Sequence, residues 1–290
     1  MSKQVRIVAS TVMLFGWFAL SGCGSAPLKI PEKVEASVLS NSQNGEYVRI
    51  KTRDGITQDI YFLQSAQGKA AVVLFPGADG RVGMDADGAV NRKHRRSISM
   101  KLFKRLQQGG YDVAMVDAPS DRQRTKGLMF DFRTTKEHAR DIAYVIAYLR
   151  ERNPNLPVWT IGHARGATSA AQMAALYPND IKGTVLLSPI TEFNLNGPTI
   201  YDADLSDIEV PILVMMHKDS WCKGSSSSQA NRIARKTGLG LNLRKSVLLE
   251  GGGDSDPTPK KCGKKGPHHF YQLTEEVYEQ IDSFVDEHAK

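Results

Sequence analysis

Five stretches of the chain are apolar almost without interruption, and a sixth ends as one. They are Ala70–Phe75, Tyr111–Val116, Val158–Ile161, Gly183–Leu187, Ile212–Met216 and Ser246–Leu249. Such runs read as strands covered on both faces, because a half-wetted strand would alternate. Helical segments lie between most of them. Ile98, Leu102, Phe103 and Leu106 share one helix face that stops at Gly109-Gly110. Thr134 to Arg152 opens with Thr134-x-x-Glu137, a capping box, and carries the stripe Ile142, Ala143, Ile146 and Leu149. Glu275 to His288 closes the chain with Val277, Tyr278, Ile281, Phe284 and Val285 inward. Strand and helix in alternation predict an α/β architecture, a doubly wound and mostly parallel sheet. Ahead of it, Tyr47–Thr52 alternates, Arg53-Asp54-Gly55 turns, and Ile56–Leu63 returns, so the leading edge is an antiparallel hairpin. At 41% hydrophobic and 24% charged, the composition excludes collagen-like and low-complexity chains. The reading is one domain over residues 46–290.

The segment Val158–Ile161, then Gly162-His163-Ala164-Arg165-Gly166, then the small-residue run Ala167 to Leu176, is the most specific in the chain. It resembles the nucleophile elbow of α/β-hydrolases, G-x-S-x-G between a strand and a helix. Ala164 stands where that family carries the nucleophilic Ser, and a methyl group cannot attack a carbonyl. The resemblance implies further positions. The backbone N–H of Arg165 faces an oxyanion, and Pro76-Gly77-Ala78-Asp79-Gly80, after the strand Ala70–Phe75, supplies the second N–H from Ala78. The acid of the family falls nine residues past Pro211, at Ser220, while the carboxylate at hand is Asp219. His269, with His268 as second choice, takes the place of the general base, opening the last helix. The segment between Gly183–Leu187 and Pro211 leaves no room for a large lid.

Other stretches resemble a group of secreted bacterial α/β-hydrolases: Asp117–Asp121, His217–Cys222, and Gly251-Gly252 followed by Cys262 and His268-His269-Phe270. With Ala164 and Ser220 in two triad positions, the expectation is an impaired hydrolase that binds an acyl-, ester- or peptide-like ligand. An active enzyme with a displaced nucleophile at Ser188, Thr168 or Ser169 is one alternative. An envelope interaction protein without a small-molecule ligand is the other.

The amino terminus carries Lys3 and Arg6, then Ile7 to Leu20 without charge, then Leu20-Ser21-Gly22-Cys23. The apolar run is short of the roughly 20 residues that span a bilayer. It reads as a signal peptide over residues 1–22, and the tetrad resembles the bacterial lipoprotein box, which implies a lipidated Cys23. Residues 23–45 then read as a flexible tether. Gly24, rather than Asp, implies the outer membrane, facing the periplasm. With Cys23 carrying lipid, Cys222 and Cys262 are expected to bridge in that oxidising compartment. A loop of about 40 residues closed this way is worth roughly 3–4 kcal/mol in the chain-entropy view. Zinc held by these cysteines and the histidine pair is the other option, but the spacing matches no zinc pattern. The reading therefore includes no metal and no cofactor.

The formal charge of +7 does not argue for nucleic acid. Arg92 to Arg96 and Lys260-Lys261 with Lys264-Lys265 lack aromatic neighbours for base stacking and read as solvated faces, with the membrane anchor as the one partner implied. Cys23→Ala is expected to leave uncleaved precursor or to release the protein to the soluble periplasm. Fractionation of cells expressing the variant checks it, and unchanged processing with membrane recovery would count against the lipoprotein box.

Overall fold

The computed structural model describes residues 28–42, 45–83, 90, 94–124, 126–193, 197–220, 222, 224–253 and 262–289. The signal peptide and Cys23 lie outside these residues. Among the described residues no helix is long and apolar enough to cross a membrane.

Among the described residues nine strands form one sheet in the order β1-β2-β3-β5-β4-β6-β7-β8-β9. They are β1 (Ala36–Ser42), β2 (Gly45–Arg53), β3 (Ile56–Leu63), β4 (Ala70–Phe75), β5 (Tyr111–Val116), β6 (Val158–His163), β7 (Gly183–Leu187), β8 (Ile212–His217) and β9 (Arg244–Leu249). The first three and the β3–β5 junction pair antiparallel; from β5 to β9 every pair is parallel. Successive side chains on β4 go to opposite layers. Ala71, Val73 and Phe75 pack with α2 (Lys136–Arg152), α3 (Arg165–Leu176) and α4 (Ala230–Lys236). Val72 and Leu74 pack with α1 (Ile98–Gln108) and α5 (Thr274–Glu287). Each face thus has its own core, which is why these strands are apolar throughout.

The structure corrects the sequence reading at four places. Residues 36–42, expected in the tether, form β1, the edge strand, with a register irregularity between Val38 and Ser40. Backbone pairing to β2 needs no apolar alternation, so this polar strand carries no periodic signal. Ahead of it, Leu28, Ile30 and Val34 pack against the core, and the Val34 N–H donates to Glu151 Oε1 at 2.7 Å. The cap of α2 is Thr135, not Thr134: its hydroxyl accepts from the His138 N–H at 3.2 Å. β9 is the opposite edge, and its burial alternates, leaving Leu248 48% exposed. His268 and His269 do not open the last helix. They sit in a separate 3-10 turn, Pro267–His269, ended by Phe270 in the left-handed region, and α5 starts at Thr274.

Asp117, just past β5, accepts from the N–H groups of Val82, Gly83 and Ala118 at 2.8, 2.9 and 2.7 Å. It moors the segment after the Pro76–Gly80 loop to the sheet. Burial raises its pKa, against the lowering effect of these backbone donors. On the other face, Trp159 is fully buried and meets the Phe284 ring edge-on at a centroid distance of 6.0 Å. Phe284→Ala is expected to destabilise the protein by about 3–5 kcal/mol, measurable as a lowered urea midpoint with the slope unchanged.

Candidate active site

Strand β6 ends in His163 and turns at once into α3. The residue at the turn, Ala164, has φ 52° and ψ −116°, a backbone conformation that L residues rarely adopt. The turn is tight because two glycines allow it. A Cβ on Gly162 would sit 2.2 Å from the Gly166 carbonyl oxygen, and one on Gly166 would sit 2.2 Å from that of Phe75. The Ala164 N–H donates to the Leu187 carbonyl at 2.8 Å, tying the apex to β7.

Above this turn lies a cavity of about 910 Å³. Gly77, Ala78, His163, Ala164, Arg165, His268 and His269 line it together with Ile190, Phe193, Lys264 and the disulfide half-cystines. Cys222 and Cys262 are bonded, with Cα atoms 4.6 Å apart across a sequence separation of 40, as the sequence reading expected. The bridge joins the segment after β8 to the segment that delivers His268 and His269.

Three of the histidines that line the cavity, His163, His268 and His269, are packed on one another. His163 Nε2–H donates to the His268 carbonyl at 3.1 Å, an assignment that follows from the acceptor being a carbonyl. Burial lowers the His163 pKa to about 4, partly offset by that bond. Burial and then His163 lower His268 to about 3. Burial, followed by His163 and His268 and the charges of Lys264 and Lys101, pushes His269 well below the ordinary histidine range. All three are therefore neutral at neutral pH.

Ala78 and Arg165, the expected oxyanion pair, both line the cavity. Ala78 has φ 54°, and Arg165 is the first residue of α3, whose first-turn N–H groups have no partner within the helix. The support for Ala78 comes from below. Arg133 is fully buried and donates from Nη2 to the carbonyls of Pro76 and Ala78 at 3.3 and 3.2 Å, and from Nη1 to Ser169 Oγ at 2.9 Å. His138 Nε2 reaches the same Ser169 hydroxyl at 3.0 Å. Burial, then the charges of Arg133 and Arg53, lowers the His138 pKa to about 3. One guanidinium thus braces the Pro76–Gly80 loop against the elbow helix. Sequence reasoning missed this network, since Arg133 precedes α2 without any local sign of burial. It also missed His94, placed in a solvated basic run, which is 4% exposed and lines the cavity.

The acid position holds no carboxylate that faces the cavity. Asp219 is exposed and lies outside the lining; its N–H donates to His217 Nδ1 at 3.0 Å. Ser220 is half-buried, and its hydroxyl donates to the Ser225 carbonyl at 3.4 Å. His269 Nδ1, the atom an acid would orient, is buried with no partner among the described residues. The alternative nucleophiles are also out of reach. Ser188, Thr168 and Ser169 are fully buried beneath the lining, Ser169 between Arg133 and His138.

Comparison with solved structures gives the same architecture at low identity. A lidless α/β serine hydrolase from Xanthomonas campestris superposes with a TM-score of 0.53 at 14% identity, covering 89% of this chain and 96% of its own. The fold is that of the α/β-hydrolases. A thermostable carboxyl esterase from Bacillus coagulans gives a TM-score of 0.58 at 12% identity, over 83% of this chain and 98% of that one. Est1E from Butyrivibrio proteoclasticus, solved with ferulic acid, gives 0.52 at 14%, over 83% and 99%. A family model described as serine aminopeptidase, S33, matches residues 93–205, the stretch that contains the elbow. A comparison with curated proteins found no match. The α/β-hydrolase sheet and the elbow turn are therefore in place in this chain, and among the described residues there is no large lid.

The strain at residue 164 is present with a methyl side chain there. A non-glycine residue in so sparsely populated a region costs on the order of 1–3 kcal/mol. Ala164→Gly is expected to stabilise the protein by about 1 kcal/mol, net of glycine's greater unfolded-state entropy. Chemical denaturation of the two proteins checks it, and a loss of stability would show that the apex is not strained.

Proposed function

We propose that this protein is a lipid-anchored α/β-hydrolase-fold protein of the bacterial cell envelope, on the outer membrane facing the periplasm. It binds an acyl-, ester- or peptide-like ligand in the cavity over Ala164 and turns it over poorly or not at all. The observation that carries this reading is the Ala164 methyl group at the strained apex of the elbow, where a nucleophile would stand. Around it the binding apparatus persists. The Ala78 and Arg165 positions favour an anionic or carbonyl oxygen, and Ile190 and Phe193 offer apolar surface to an acyl chain. The ester chemistry named for the Bacillus and Butyrivibrio proteins supports an ester-like ligand here. The Leu20–Cys23 tetrad supports the anchor.

Two losses separate this site from a working triad, and they differ in size. On the subtilisin scale, removing the nucleophile costs on the order of 10⁶ in kcat. Lacking the acid costs about 10⁴, because the imidazole is left without its tautomer partner. Hydrolysis of p-nitrophenyl esters is expected at background for the wild type, weakly above it for Ala164→Ser, and higher for Ala164→Ser with Ser220→Asp. Wild-type turnover at ordinary enzyme rates, abolished by His269→Ala, would overturn the reading. Binding is followed separately, as a ligand-dependent rise in melting temperature with short-chain acyl esters and carboxylates.

A further inference from the structure

The trio formed by His163, His268 and His269 does more than crowd the cavity. One ligand nitrogen from each lies within 4.8 Å of the other two. The ring centroids are 4.5, 5.2 and 5.4 Å apart. His163 is already in metal-binding form: its Nε2–H is committed to the His268 carbonyl, so the lone pair is left on Nδ1. A ligating imidazole commonly has its other N–H held this way by a carbonyl or carboxylate. His268 Nδ1 and His269 Nδ1 are buried and have no hydrogen-bond partner among the described residues. Buried polar atoms are nearly always satisfied, so two orphaned nitrogens in one cluster call for an exogenous partner.

We infer that His163, His268 and His269 form a binding site for one late first-row divalent metal ion, of the Zn²⁺ class, with a coordination position open to the cavity. The donor set decides the class. Imidazole nitrogen suits zinc, copper, nickel and iron, whereas calcium and magnesium require oxygen ligands. Four-coordinate zinc with nitrogen at about 2.0–2.1 Å needs nitrogens roughly 3.4 Å apart, so the rings close by about 1 Å or a little more on binding. Cys222 and Cys262 take no part, because they are bonded to each other. No carboxylate belongs to the trio, and Arg165, Lys264 and Glu192 share the cavity. A dication among these groups is expected to hold an anion, hydroxide or carboxylate, at its open position. This site stands independently of the ligand proposed above.

The test uses the full chain, purified without a histidine tag and stripped with a chelator. Calorimetric titration with Zn²⁺ is expected to show one ion per chain, and Co²⁺ to give the visible absorption of a low-coordinate nitrogen site. His163→Ala and His269→Ala should each weaken binding at least about tenfold. His288→Gln, which alters a half-buried histidine just past α5 and outside the cavity lining, should leave affinity unchanged. If His163→Ala fails to fold, His269→Gln carries the test, since that side chain is only half-buried. Absence of binding, several weak sites, or affinity that survives His269 substitution would overturn the inference. Water would then be the partner of the orphaned nitrogens. The acyl-ligand melting shift is measured on the stripped protein, so the two ideas fail separately.

Discussion

Gly166 lies against the carbonyl of Phe75 with no space for a side-chain carbon between them. That contact joins the start of α3 to the end of β4 and so sets how far the elbow projects from the sheet. Ala164 is held in its strained turn as a result, with its N–H on Leu187 and its methyl group in the cavity. The Pro76–Gly80 loop must then pass close over α3, and its Pro76 and Ala78 carbonyls turn down onto Arg133. A buried guanidinium is an expensive support, since desolvation penalises its charge. Here its two Nη groups hold two backbone carbonyls and a hydroxyl together, while Nε is buried without a partner among the described residues. The geometry of the site is thus set by backbone packing and one cation, and neither depends on what occupies residue 164.

Burial also governs the chemistry of the histidines. In a solvated triad an imidazole gains a proton readily and an acid stabilises it. Here burial lowers the proton affinity of all three rings, His163 lowers His268 and His269 further, and no carboxylate compensates. A general base in that setting is weak. The same burial leaves neutral imidazole nitrogens at the cavity wall, the feature on which the proposed metal site rests.

Much of this was legible in the sequence, for identifiable reasons. The strands β4 to β8 were readable because each is covered on both faces and must be apolar. The elbow was readable because Gly162 and Gly166 answer to backbone clashes that no other residue relieves. The pairing of Cys222 with Cys262 was readable because the expectation of a lipid on Cys23 left only these two cysteines. What escaped was held by contacts between distant polar groups. Arg133 meets Ser169 and Pro76 at separations of 36 and 57 residues, and nothing beside it in the chain announces that it is buried. His94 was misread because its neighbours are basic, although its own side chain turns inward. The strand β1 escaped because its stability comes from backbone pairing alone.

That outer strand bears on how the protein behaves in company. An open sheet has two unpaired edges, and each can recruit a strand from another molecule. Val38 and Leu39 are exposed on β1, which makes it the more hazardous side. The break in register between Val38 and Ser40 falls at the same place and bends the strand out of the straight geometry that pairing with a second sheet requires. The opposite edge, β9, begins with Arg244 and Lys245, whose like charges repel a second copy. Neither edge of the sheet is thus a flat apolar strand open to a second copy.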